Sequence, residues 1–272
     1  MLTFHKIIAG CEAGRKENWR AFIENYTPVV LNLVRIYMPG LADPQGFWRE
    51  SLAELCGDGF KTLRNFSCQS EREFLLELRA FLFTRGSAAL DPSRESKDFP
   101  EPTVEGVSAL VRGLPLHHQE ILFLKLAGYS DSTLEQIYRI APGVAAKSLE
   151  RLQGDYAAAL EKTADECLLP HAWLKLHIEL RAARKESCPA IRLLVRVLDG
   201  QAGWNDKDFV ERHLAECLHC LEGWTALREI SYWRQAAKAV PADVVDDLLT
   251  TLPVAKQPAK PKSLFQRIWG VS

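Results

Sequence analysis

Several absences narrow the class of this 272-residue chain. No run approaches the ~20 uninterrupted apolar residues that a membrane-crossing helix needs, so no membrane span is expected. The opening Met1-Leu2-Thr3-Phe4-His5-Lys6 has no secretory layout. Neither sign of charge dominates: 34 Lys and Arg face 35 Asp and Glu, a formal net charge of −1, which denies the chain the strong basic field of an autonomous DNA binder. From Phe4 to Phe83 sustained alternation of period two, the mark of half-buried strands, is missing. Seven cysteines are too few for a disulfide scaffold at this length and suit a reducing compartment. The expectation is a cytoplasmic, all-α protein.

What is present is ample core material, 47% apolar and 25% charged residues, in a chain long enough for two or three domains. From Phe4 to Phe83 apolar residues recur at helical spacing: Trp19, Phe22, Ile23 and Tyr26, then Val29, Leu33 and Tyr37, later Phe74, Leu75, Leu78, Phe81 and Leu82. Three or four helices follow, broken at Pro39-Gly40 and between Asn65 and Ser70. Residues 91–104 are polar and proline-bearing, a linker by composition. Residues 157–185 are continuously helix-friendly and read as a connection to the next module. Trp224, Leu227, Ile230, Tyr232 and Trp233 predict a further amphipathic helix. In the tail, Ala242 to Leu252 is a short helix candidate, residues 253–262 form a basic, proline-rich linker, and Ser263 to Trp269 is a docking peptide or a frayed terminus.

The sharpest chemical signal is His213-Leu214-Ala215-Glu216-Cys217-Leu218-His219-Cys220. On a helix His213 and Cys217 share a face, and Cys217 and Cys220 are separated by two residues, a common metal-knuckle spacing. Cys188, 25 residues upstream of His213, supplies a fourth ligand for a closed tetrahedral zinc site. With only three ligands an open position would remain for water, with Glu216 as a base; the fourth closes it, so no enzyme is expected. His219 reads as a solvated knuckle residue and Cys167 as core. Ser187 and Asn205 are candidate N-caps, and Pro189 suits a first helical turn.

This pattern, over residues 186–235, resembles the zinc-binding anti-sigma domain, a small helical module. Upstream, Ala13-Gly14 through Ala21 and then Tyr26 to Arg35 resemble the opening of region 2 in sigma factors of the extracytoplasmic-function type. Glu54-Leu55-Cys56-Gly57-Asp58-Gly59-Phe60 is similar to the acidic helix with which that region docks on RNA polymerase, although Gly57 stands where Gln is usual. The resemblance implies polymerase contacts by Glu54, Asp58 and Phe60. Glu73 to Leu82 resembles the promoter-opening helix, with Glu77 at the family's Trp position and Phe83-Thr84 in place of an Arg-Asn pair. Arg79 and Arg85 remain as its nucleic-acid cations, but residues 1–100 hold 13 basic and 13 acidic side chains, and a core helix is the better reading.

Leu114-Pro115 through Gly128-Tyr129-Ser130 resembles the start of sigma region 4, and Leu134 to Gly143 followed by Val144 to Leu152 matches its helix-turn-helix. Glu135 occupies a position usually held by a small Ala, and Arg139 replaces the turn Gly that readily takes positive φ. Lys147 and Arg151, four apart, are the DNA-contact candidates or solvated surface; His117 and His118 read as surface residues. The resemblance thus implies a region 2-like domain at 1–90, a region 4-like domain at 105–165, a zinc-binding anti-sigma-like module at 170–235 and a flexible tail at 236–272. Expected partners are core RNA polymerase or another transcription regulator, and promoter DNA. A sigma-derived interaction module that no longer reads promoters is the alternative.

Overall fold

Apolar side chains three and four residues apart run the length of Lys16–Tyr37, and this stretch forms the long helix α2, with α1 (Phe4–Glu12) folded back on it. Asn18 donates to the Lys6 carbonyl at 2.8 Å and the Trp19 indole to that of Cys11 at 3.1 Å, which pins the two together. The computed structural model describes residues 3–66, 68–95, 101–150 and 169–252. Among them the chain is all-α, with no strand, as the missing period-two pattern predicts.

Asp43 caps α3 (Pro44–Asn65) by accepting from the Gly46 amide at 2.8 Å, and Pro44 occupies the first turn, where its missing N–H costs nothing. Ser70 and Glu73 form a capping box at the start of α4 (Glu71–Ala89). The predicted breaks at Pro39-Gly40 and 65–70 separate these helices as expected. Gly57 and Gly59 do not end α3, but Gly59 and Phe60 both take positive φ, 65° and 68°. The non-glycine outlier is held by its ring, which stacks on Trp19 with centroids 6.0 Å apart.

After a short 3-10 turn at Pro92–Arg94 come α5 (Val104–Val111), α6 (Leu116–Leu126), α7 (Asp131–Tyr138) and α8 (Val144–Glu150). Gly128, at φ 97°, makes the turn out of α6 that a side chain would strain. Between α7 and α8, Arg139 adopts the left-handed conformation, φ 53°, that the sequence pattern reserves for glycine. Its side chain is anchored on Gln235 at 3.1 Å. Glu135 does not splay the pair; its carboxylate accepts from the Gly143 amide at 2.5 Å, just ahead of α8.

The stretch 157–185 was expected to connect modules, yet its described part, α9 (Pro170–Ala182), is a core helix lying along α4, with Trp173, Leu174, Leu176, His177 and Leu180 buried. Glu95, from the expected linker, accepts from the Ala172 amide at 3.0 Å and so caps α9. Next come α10 (Ile191–Leu198), α11 (Trp204–Glu216) and α12 (Leu218–Ala236). Helix α12 is buried on nearly every side and touches α2, α4, α6, α7 and α9. It is the central helix of the fold rather than a merely amphipathic one.

Two expectations are corrected here. Ser187 and Asn205 cap no helix: α10 starts after Ala190, beyond the turn of residues 185–188 that aims the Cys188 sulfur, which also leaves Pro189 ahead of the helix rather than in its first turn, and α11 starts after Gly203, so Asn205 lies inside its first turn. The tail is not flexible throughout, since α13 (Ala242–Thr250) buries Val245, Leu248 and Leu249 against α2, with Asp246 on Arg20 and Asp247 on Arg49. The basic linker and the terminal peptide lie outside the described residues, as do Arg151 and Cys167.

Candidate metal centre

The chain bends sharply at Cys217, which ends α11 and precedes α12 with extended backbone angles, φ −121° and ψ 101°. His213 sits in the last turn of α11 and Cys220 in the first turn of α12, so the bend turns both inward. Cys188 arrives from the turn between α9 and α10, where the Lys185 amide donates to its sulfur at 3.3 Å. The four ligand atoms lie within 4.8 Å of one another and can hold a metal ion. Cys188 Sγ is 3.9 Å from Cys217 Sγ, and His213 Nε2 is 3.2 Å from Cys220 Sγ. An ion about 2.3 Å from sulfur and about 2.0 Å from imidazole nitrogen sets tetrahedral edges of roughly 3.5–3.8 Å; the separations of 3.2 and 3.9 Å bracket these edges, and the 4.8 Å limit on the set lies about 1 Å beyond them, which the side chains must close on binding.

The side-chain hydrogen bond from Cys220 holds the Cys217 thiol down to about 4, while the same bond and burial push Cys220 upward. One thiolate is therefore already favoured in a cluster whose neighbours compete for a proton. His219 is not solvated as its sequence position suggests. It is half-buried, and its Nδ1–H donates at 2.6 Å to the Leu180 carbonyl near the end of α9, which also accepts from the Ala183 amide at 3.2 Å.

Below the cluster, α12 buries two carboxylates. Glu222 receives the Arg79 guanidinium of α4 and lies 2.9 Å from His177 Nδ1 of α9. Glu229, fully buried, accepts from the Tyr37 hydroxyl of α2 and from the Tyr129 hydroxyl at 2.6 Å, with Arg79 Nη2 at 3.3 Å. Burial pushes Glu222 up, but Arg79 and His177 outweigh it and hold the carboxyl at about 2. For Glu229 burial wins over Arg79 and the two phenols, and its carboxyl stays above the ordinary range. A third contact joins α12 to α6: Arg228 Nε is 2.7 Å from Glu120 and lies over the Tyr138 and Trp224 rings.

The residues matched to nucleic-acid and polymerase contacts are distributed otherwise. Arg79 is 5% exposed and engaged with two carboxylates, so it does not face solvent; desolvating a guanidinium is tolerable only where such partners surround it. Arg85 pairs with Glu54 and with Glu50 at 3.5 Å, which sets one expected DNA contact against one expected polymerase contact. Phe60 packs on Trp19, and the side chain of Asp58 lies outside the described ones. Lys147 is exposed on α8. His117 and His118 stack with centroids 3.9 Å apart and stand away from the cysteine cluster.

Sequence reasoning missed Glu222, Glu229, Tyr37 and Tyr129 as a set. One signal was available: two acids seven residues apart, hence on one face, in a helix otherwise rich in Trp, Leu and Ile. Comparison with protein-family models, with curated proteins and with solved structures finds no match for the chain.

Proposed function

We propose that this chain is a sigma-factor-like regulator of transcription initiation, kept closed by its own zinc-binding, anti-sigma-like module. One observation carries the reading: the helix that leaves the Cys/His cluster reaches both the first helical segment and the helix-turn-helix segment at a single buried carboxylate, Glu229, through Tyr37 and Arg79 on one side and Tyr129 on the other. Zinc is the proposed ion because three thiolates and an imidazole at tetrahedral spacing suit it and leave no ligand position open. When bound, it would close the shell of Cys188, His213, Cys217 and Cys220 and fix the bend at Cys217. The bend in turn sets the direction of α12 and therefore which residues reach Glu222 and Glu229.

In the closed arrangement Arg79 is withheld from any nucleic acid, and α12 covers α4, α6 and α7. Opening needs only a differential affinity of a few kcal/mol between closed and open forms. The reducing, cytoplasmic setting is consistent with free Cys11, Cys56 and Cys68 beside the cluster residues; no helix among the described residues is long and apolar enough to cross a membrane.

The test is co-elution of the full chain with core RNA polymerase, alone and with the junction weakened by Arg228→Glu and Glu229→Gln. The clamp reading expects the weakened variant to retain more polymerase than the unaltered chain. Absence of co-elution for both would leave the second reading, a sigma-derived interaction protein, which is favoured by the internal pairing of Arg79 and Arg85.

A further inference from the structure

Between α4 and the corner formed by α9 and α10 lies a cavity of about 290 Å³. It runs into a neighbouring groove of about 420 Å³, the two sharing Leu76, Glu77, Arg181, Ile191 and His219. These volumes lie around the lower end of the ~300–1,000 Å³ of small-molecule sites. The recess is mainly apolar, walled by Phe66, Leu76, Phe81, Ile178, Ile191 and Leu194; the charged groups that also line it, Arg79, His177 and Glu222, are already paired with one another.

The groove carries the opposite character. Arg184 and Arg192 line it, are exposed, and have no acidic partner among the described residues. The acids on the same walls are already engaged: Glu77 with Arg181 at 2.5 Å, and Glu73 with the amides of Gln69 at 2.6 Å and Ser70 at 3.1 Å. An apolar recess that opens beside two unpaired guanidinium groups is complementary to one kind of ligand. Guanidinium forks match the planar carboxylate, and the recess takes hydrocarbon that water rejects.

We infer that this groove binds a small organic carboxylate with an aromatic or branched apolar body, its head between Arg184 and Arg192 and its body against Leu76, Phe81 and Ile191. The occupant would touch α4 on one wall and α10 on the other, and the recess reaches Cys220 of the metal cluster. Binding therefore favours the form in which the cysteine module is seated on α4. The site stands independently of the transcriptional reading, since its chemistry rests on the groove alone.

Calorimetric titration of the metal-loaded full chain tests it, with phenylbutyrate as probe, phenylbutyramide as the neutral-headed control and butyrate as the control without a ring. Phenylbutyrate is expected to bind once per chain and to raise Tm. The amide should bind about tenfold more weakly or worse, as should phenylbutyrate to Arg184→Ala or Arg192→Ala, since each removes a charge-assisted hydrogen bond. Both arginines are exposed, so the variants should keep the far-UV spectrum of the parent. No heat with phenylbutyrate, equal binding of the amide, or undiminished binding in both arginine variants would overturn the inference.

Discussion

The first turn of α12 places Cys220 in a cluster of three sulfurs and one imidazole, and further along the same helix Glu222 and Glu229 sit among Arg79, His177, Tyr37 and Tyr129. The first cluster is assembled almost locally, from residues 213–220 and one cysteine upstream. The second joins residues 143 and 192 positions apart in the chain. The first can be neutralised by an ion from outside the chain, whereas the second must balance itself. A metal site repays the ordering of its ligands through coordination; a buried ion pair has only mutual attraction and hydrogen bonds to set against desolvation. The junction therefore contributes specificity of docking more than net stability, and it fails sharply when one partner is removed.

The largest effect should come from the metal corner. In Cys188→Ala or Cys217→Ala, metal content measured by atomic absorption is expected to fall from about one ion per chain to near zero, because a closed site loses most of its free energy, ~10–16 kcal/mol in small zinc modules, when the shell is broken. His219→Ala should keep its ion. Equal retention by Cys188→Ala and His219→Ala would erase the distinction between ligand and neighbour.

Next in size, Arg79→Met leaves Glu222 without its cation. Urea unfolding should show a loss of about 3–5 kcal/mol, the usual consequence of an uncompensated buried charge. A loss below about 1 kcal/mol would make the junction no more than a surface ion pair in energetic terms.

A smaller effect separates the two carboxylates of the junction by pH. The Glu222 carboxyl, held at about 2 against an ordinary 4.5, adds stability that is present above 4.5 and fades as pH falls toward 2. Glu229 is shifted upward, so its contribution runs the other way and declines as pH rises above 4.5 through its folded value. The stability of the parent relative to Glu222→Gln should thus grow with pH, and that relative to Glu229→Gln should shrink; equal slopes would refute the division of charge between them.

The smallest effect concerns the turn after α7. Arg139→Gly relieves a left-handed residue but gives up the bond to Gln235, and a net gain of up to about 1 kcal/mol in thermal unfolding is expected. A loss would mean that the tie to α12 outweighs the backbone conformation.

Much of the helical framework was legible because its causes are local. Trp19 to Tyr37 repeat at helical spacing, and Pro39-Gly40 breaks the chain; the Ser70/Glu73 capping box is equally local but went unread. Arg139 was recognisable as standing in a glycine-like turn, but the consequence of Glu135 was not, because its partner amide at Gly143 depends on how the chain closes between α7 and α8. The ligand set was readable for the same local reason, helix periodicity and a two-residue gap, with only Cys188 needing the fold to bring it near.

The helical class, the breaks between helices and the His213, Cys217 and Cys220 side chains of the cluster that can hold a metal ion were in the sequence, since these follow from spacing and side-chain chemistry within one or two turns. The tertiary structure alone decided that α9 is core rather than connection, that α13 is docked, and that Arg79 is buried between two acids instead of facing phosphate. A charged residue's position on a helix does not state its destination. Whether Arg79 meets water or Glu222 depends on which distant helix covers it, and the desolvation that makes their pairing matter exists only once α12 is in place.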